Sequence, residues 1–110
     1  MRAAALLLAL AASPSIHVSP DTVKAGGRVV VSGSAAGCPS GDRVTLLSRG
    51  FARRHEFAGV PAVYARVARN GRFGHGVTIP RTTPAGRYTI SGRCGGGNLG
   101  VTARLVVTKR

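Results

Sequence analysis

Pro84-Ala85-Gly86-Arg87-Tyr88-Thr89-Ile90-Ser91-Gly92-Arg93-Cys94 is a turn that feeds a strand and ends in one of the chain's two cysteines. By the two-residue period of a strand, Tyr88, Ile90, Gly92 and Cys94 share one face, and Arg87, Thr89, Ser91 and Arg93 the other. The first face suits a core and the second suits water. The other cysteine, Cys38, sits in a Pro- and Gly-punctuated turn just after the valine-rich run Arg28-Val29-Val30-Val31-Ser32. A Cys38–Cys94 bond would pin the two halves of a small all-β domain together.

Working outward, residues 15–19 alternate and stop at Pro20, which cannot donate to a ladder and suits an edge strand. Residues 28–34 form a second strand with Val29, Val31 and Gly33 on one face, and residues 42–48 a third with Val44 and Leu46 inward and Arg43, Thr45 and Leu47 outward. Residues 49–61 are the least regular, an excursion whose Phe51 and Phe57 are expected to fold back over the core. A fourth strand spans 62–69, with Tyr64 and Arg66 opposite in parity to Val63, Ala65 and Val67. Asn70-Gly71 is a strong two-residue hairpin signal, so the fifth strand, 72–79, is expected to pair with the fourth. Gly74 and Gly76 predict a bulge that turns His75 aside. The sixth strand, 86–94, a flexible glycine tip and a seventh strand, 101–107, complete the chain.

Composition agrees with many short strands. The 110 residues hold one domain, and 16 Gly, 6 Pro and 5% aromatic residues favour strands joined by tight turns over helices. Met1-Arg2 precedes a short run of Ala and Leu ending in Ala-Ala-Ser-Pro, which predicts a signal peptide at 1–11 and a mature domain at 12–110. That run is too short to cross a bilayer. Export to an oxidising compartment accounts for the paired cysteines. With no cysteine at the cleavage site and no apolar tail, a freely secreted monomer is expected.

Sixteen Lys and Arg against three Asp and Glu give a formal charge of +13, which attracts polyanions of every kind. Strand parity places Arg43 and Thr45 of the third strand, Arg87, Thr89, Ser91 and Arg93 of the sixth, and Thr102 and Arg104 of the seventh on one outer sheet face. Arg43, Arg87, Arg93 and Arg104 are therefore the candidate anion-binding residues, since guanidinium pairs with phosphate or carboxylate in bidentate fashion. Arg49, Arg53 and Arg54 would extend the patch. The competing reading is a face kept polar for solubility. No aromatic row is expected there, so stacking of single-stranded bases is not predicted. A third possibility places binding at the glycine tip beside the disulfide.

Catalytic chemistry has little material. His17, His55, His75, Asp21, Asp42 and Glu56 fall in no motif and form no acid–base pair, so no enzyme is expected. With the cysteines bonded, His55, Glu56 and His75 are too few and too scattered for a zinc site, and no metal or cofactor is expected.

Seven short antiparallel strands with turns at this spacing suggest an immunoglobulin-like β-sandwich, the first, second, fourth and fifth strands facing the third, sixth and seventh. The chain resembles bacterial immunoglobulin-like domains of secreted and wall-associated actinobacterial proteins. The matching pieces are Val18-Ser19-Pro20, Val29-Val30-Val31-Ser32-Gly33-Ser34, Gly37-Cys38-Pro39-Ser40-Gly41, Asn70-Gly71-Arg72-Phe73, Val77-Thr78-Ile79-Pro80 and Pro84 through Ile90. The resemblance implies a spacer, adhesin module or stalk rather than an enzyme, and with no Trp it implies no antibody-like recognition. Two functional expectations follow. One is a secreted, non-catalytic binding or structural module at the cell envelope, its partner an anionic envelope polymer or another envelope protein. The alternative is a secreted cationic protein that holds wall polymers, nucleic acid or acidic glycans through its Arg-rich face, without nucleic-acid sequence specificity.

Overall fold

A computed structural model describes residues 13–95 and 97–110; the expected signal peptide at 1–11 lies outside the described residues. The described chain is all β: β1 (Ser15–Ser19), β2 (Thr22–Lys24), β3 (Arg28–Ser34), β4 (Arg43–Leu47), β5 (His55–Phe57), β6 (Val60–Arg66), β7 (Arg72–Thr78), β8 (Gly86–Cys94) and β9 (Gly97–Thr108). Two sheets result, β1-β3-β7 and β2-β9-β8-β4-β6-β5.

The seven expected strands are present, and β2 and β5 are added to them. Both additions are three-residue ribbons at sheet edges, too short to show a period in the sequence. β2 lies parallel to β9, and β5 forms a hairpin on β6.

The larger correction concerns β6. Its expected partner across Asn70-Gly71 is β7, but it pairs with β4 from Arg43↔Arg66 to Leu47↔Ala62, while β7 pairs with β3. The turn itself forms, with the Ala68 N–H donating to Arg72 O and the Gly71 N–H to Ala68 O. Val67 explains the outcome: it is buried, and it exchanges bonds with the β4 side through Asp42 O and the Gly41 N–H. The chain leaves that sheet only at Ala68 and crosses to the other. The architecture therefore departs from a plain seven-stranded immunoglobulin-like sandwich, with three strands facing a curled sheet of six.

The core lies between the sheets. Val29 and Val31 of β3, with Phe73 and Val77 of β7, meet Val44 and Leu46 of β4, Ile90 of β8, and Leu105 and Val107 of β9. Each such side chain contributes about 1.5–3 kcal/mol of transfer free energy. Phe51 joins this core as expected; Phe57 does not and is exposed. Gly33 is required because the Ser15 carbonyl of β1 occupies the space a Cβ would fill. The Ser19–Pro20 peptide is cis.

Cys38 and Cys94 are joined, with Cα atoms 5.9 Å apart and a sequence separation of 56. The bond ties the β3–β4 loop to the end of β8. The expected glycine tip is largely strand, since β9 already pairs with β8 at Cys94↔Gly97. A register irregularity between Ser91 and Arg93 interrupts this ladder. No bulge forms at His75, since the β3–β7 register runs unbroken from Arg28↔Thr78 to Ser34↔Arg72. His75 is nevertheless exposed, on a strand whose outer edge has no ladder partner among the described residues.

Candidate functional site

The outer face of the six-stranded sheet is assembled by register. Arg104 lies opposite Thr89, and Thr102 opposite Ser91, which is opposite Leu47. Arg93 is opposite Thr45, Thr45 opposite Tyr64, and Arg43 opposite Arg66. Arg43, Arg87, Arg93 and Arg104 thus share the face that parity gave them, on β4, β8 and β9. Arg43, Arg87 and Arg104 are exposed and Arg93 is half-buried.

The move of β6 brings further residues to this face. Arg66 adds a cation whose Nη1 donates to Gly41 O at 3.4 Å. Tyr64 adds an aromatic ring, and the β5 hairpin brings His55 and Phe57. The expectation of a face without aromatics is therefore corrected. Tyr64's parity was readable from Val63 and Ala65; which sheet it belonged to was not.

These rings hold cations. The Arg43 guanidinium carbon lies 4.0 Å from the Tyr64 ring centroid, and the His55 ring centroid 5.0 Å from it at a 45° tilt. Both are diagonal cross-strand neighbours of Tyr64, a separation long side chains bridge. Arg93 lies 4.8 Å over Phe57. Two strands separate β8 from β5, and Phe57 is two rows from Arg93 along the register, so a flat sheet would hold their backbones roughly 19 Å apart. Their contact therefore requires the sheet to curl toward this face. Leu47 and Ala62, which point outward by parity, lie buried within the curl.

Each cation–π contact is worth about 0.5–2 kcal/mol. Its chemical use is orientation, because a guanidinium laid on a ring presents its N–H edge in a fixed plane, the geometry that forks onto phosphate, carboxylate or sulfate. Little opposes that charge. Glu56 pairs with Arg53 at 3.3 Å, and Asp42 shares a cleft with Arg43, Thr45, Tyr64 and Arg66.

The remaining candidates are dispersed. His17 is exposed on β1 in the other sheet, while His55 and His75 line a second cleft with Arg54, Val63 and Tyr64. Among the described residues, the His, Cys and carboxylate group close enough to hold a metal is Cys38, Asp42 and Cys94, and both its sulfurs are spent in the disulfide. Buried Ser48 accepts the Gly50 N–H at 3.2 Å and stabilises a turn.

Fold and face together define a disulfide-stapled, two-sheet β module with a cationic, aromatic-backed surface. No family model and no curated protein matches the sequence. Solved structures do match in shape. InvD of Yersinia pseudotuberculosis is 18% identical with a TM-score of 0.64, over 87% of this chain and 27% of that one. The Pseudomonas fluorescens alkylpurine DNA glycosylase AlkC, bound to DNA containing an abasic site analog, is 18% identical with a TM-score of 0.55, over 86% of this chain and 30% of that one. The bacterial hydrophobin BslA is 15% identical with a TM-score of 0.52, over 89% of this chain and all of the other. The chain spans about a third or less of the first two, and at these identities the likeness is one of fold.

Proposed function

We propose that this chain is a secreted, non-catalytic immunoglobulin-like module of the cell envelope whose outer sheet face holds anionic polymers through phosphate, sulfate or carboxylate groups. The observation that carries the reading is the pair of guanidinium groups seated on aromatic rings, Arg43 on Tyr64 and Arg93 on Phe57, within a face that also carries Arg66, Arg87 and Arg104. A face kept polar only for solubility has no need of ring-backed cations. The disulfide supports an oxidising compartment. A DNA-bound protein among the fold neighbours is consistent with this surface chemistry.

The test is fluorescence anisotropy with labelled polyphosphate, heparin and single-stranded DNA across a salt series. For four phosphate contacts, affinity for the DNA probe falls by roughly two to three decades between about 25 and 200 mM NaCl. The variant with Arg43, Arg87, Arg93 and Arg104 all changed to Ser loses binding to all three polymers. Binding that is flat in salt, or unaltered in that variant, overturns the proposal.

A further inference from the structure

The transfer of β6 to the other sheet leaves the outer edge of β7 without a ladder partner among the described residues. β7 is seven residues long and pairs with β3 alone among the described residues, whereas the other sheet-edge strands have five, three and three residues. Protected edges are short, bulged or guarded by Lys and Pro. β7 is none of these, since its register is unbroken and its sequence is Arg-Phe-Gly-His-Gly-Val-Thr.

Two hydrogen bonds fix which of its main-chain groups face outward. The Ile79 N–H donates to Gly27 O, toward β3, and Arg72 O accepts from the Ala68 N–H, away from β3. Because antiparallel residues alternate between the two sides, Gly74, Gly76 and Thr78 direct their N–H and C=O groups into the seam. Facing them is β6, whose residues 63–66 run beyond the end of β5 and have β4 as their sole ladder neighbour among the described residues. Three contiguous clefts meet at His75 and extend along this seam, from Asp42 and Arg66 past Tyr64 and Val63 to Ala52, Arg54 and Pro80.

We infer that this seam is a strand-addition site for an extended acidic peptide, which pairs with β7 and restores a four-stranded sheet. The occupant's chemistry follows from the lining. Outward N–H and C=O groups are matched by another peptide main chain, which a glycan or phosphate polymer does not supply. Val63, Val77 and Ala52 take apolar side chains, while Arg54, Arg66, His55 and His75 favour carboxylates over the single opposing Asp42. A second copy of this chain is disfavoured by its formal charge of +13. The seam shares Tyr64 and Arg66 with the polyanion face, but its pairing rests on main-chain groups of β7 rather than on Arg87, Arg93 and Arg104, so the two proposals fail separately.

The probe is an acetylated, amidated heptapeptide of alternating Glu and Val, titrated into the folded protein with backbone NMR and amide exchange as readouts. The amides of Gly74, Gly76 and Thr78 are expected to gain about tenfold protection, and N-methylation of the peptide along one edge to weaken binding about tenfold. Replacing its Glu with Gln weakens binding severalfold. Gly74→Pro removes one outward N–H without touching the β3 ladder and lowers affinity similarly; the N-methyl peptide makes the same test on the unaltered protein. No binding at about 1 mM peptide, equal binding of the N-methyl peptide, or protection confined to β2 or β5 overturns the inference. Concentration-dependent protection of the same amides without peptide assigns the edge to a second copy and likewise overturns it.

Discussion

Gly33 and Gly74 are both strand glycines, on β3 and β7, and the structure gives them opposite roles. At Gly33 a Cβ meets main chain, the Ser15 carbonyl, with the Phe73 ring close behind. Backbone cannot swing aside as a side chain can. Gly33→Ala is expected to cost about 1–3 kcal/mol, read as a lower urea midpoint, and to loosen β1. At Gly74 the nearest atom to a new Cβ is the Ser32 Cβ, 4.0 Å away. Gly74→Ala is expected to leave the midpoint unchanged or raise stability by about 0.4–1 kcal/mol, by restricting the unfolded chain. Tyr64 tests the anion face at the same scale. Tyr64→Phe keeps the ring under Arg43 and preserves polyanion affinity, whereas Tyr64→Leu removes it and weakens binding roughly fivefold, the equivalent of about 1 kcal/mol of cation–π contact. Equal affinities in the two variants would show that the ring does not orient the cation.

Strand parity was legible in the sequence because alternation is local: Val29, Val31, Val44, Leu46, Ile90 and Leu105 are buried as their spacing requires. Sheet membership was not legible, because it depends on which distant strand wins a partner. Asn70-Gly71 signals a turn correctly, yet a turn does not oblige its flanks to pair. Val67's burial and its bonds to Gly41 and Asp42 hold β6 to β4, and this carried Tyr64, Arg66, His55 and Phe57 to the cationic face. Parity placed the four arginines on one face; the rings behind Arg43 and Arg93 were missed for that reason. The Cys38–Cys94 pairing needed only the count of two cysteines and their strand context. Its energetic role follows from its sequence separation of 56. In the chain-entropy account a loop of that length contributes roughly 4 kcal/mol. Changing both cysteines to Ser is expected to lower the urea-derived stability by about that amount, a large share of what a domain of this size possesses. A loss below about 1 kcal/mol would mean that the unfolded chain already holds these segments together.

For the molecule as a whole, the charge that attracts polyanions also strains the fold. A formal +13 on 110 residues is self-repulsive, and one ion pair, Arg53 with Glu56, is present among the described residues. Repulsion between exposed charges is screened once ionic strength shortens the Debye length to about 10 Å. The melting temperature is therefore expected to rise between about 10 and 150 mM NaCl, by several degrees if roughly 1 kcal/mol of repulsion is relieved. The variant with Arg43, Arg87, Arg93 and Arg104 changed to Ser carries 13 − 4 = +9. It should melt higher than the parent at low salt, respond less to added salt and bind polyanions worse. Those three results together would mean that the arginines are retained at a cost in stability, the pattern of a functional surface. If the arginines serve only to keep the sheet soluble, the same variant should instead aggregate on heating, with no change in polyanion affinity. Differential scanning calorimetry with light scattering, run beside the anisotropy titration, separates the two, because only one predicts aggregation on heating and only the other a loss of polyanion affinity.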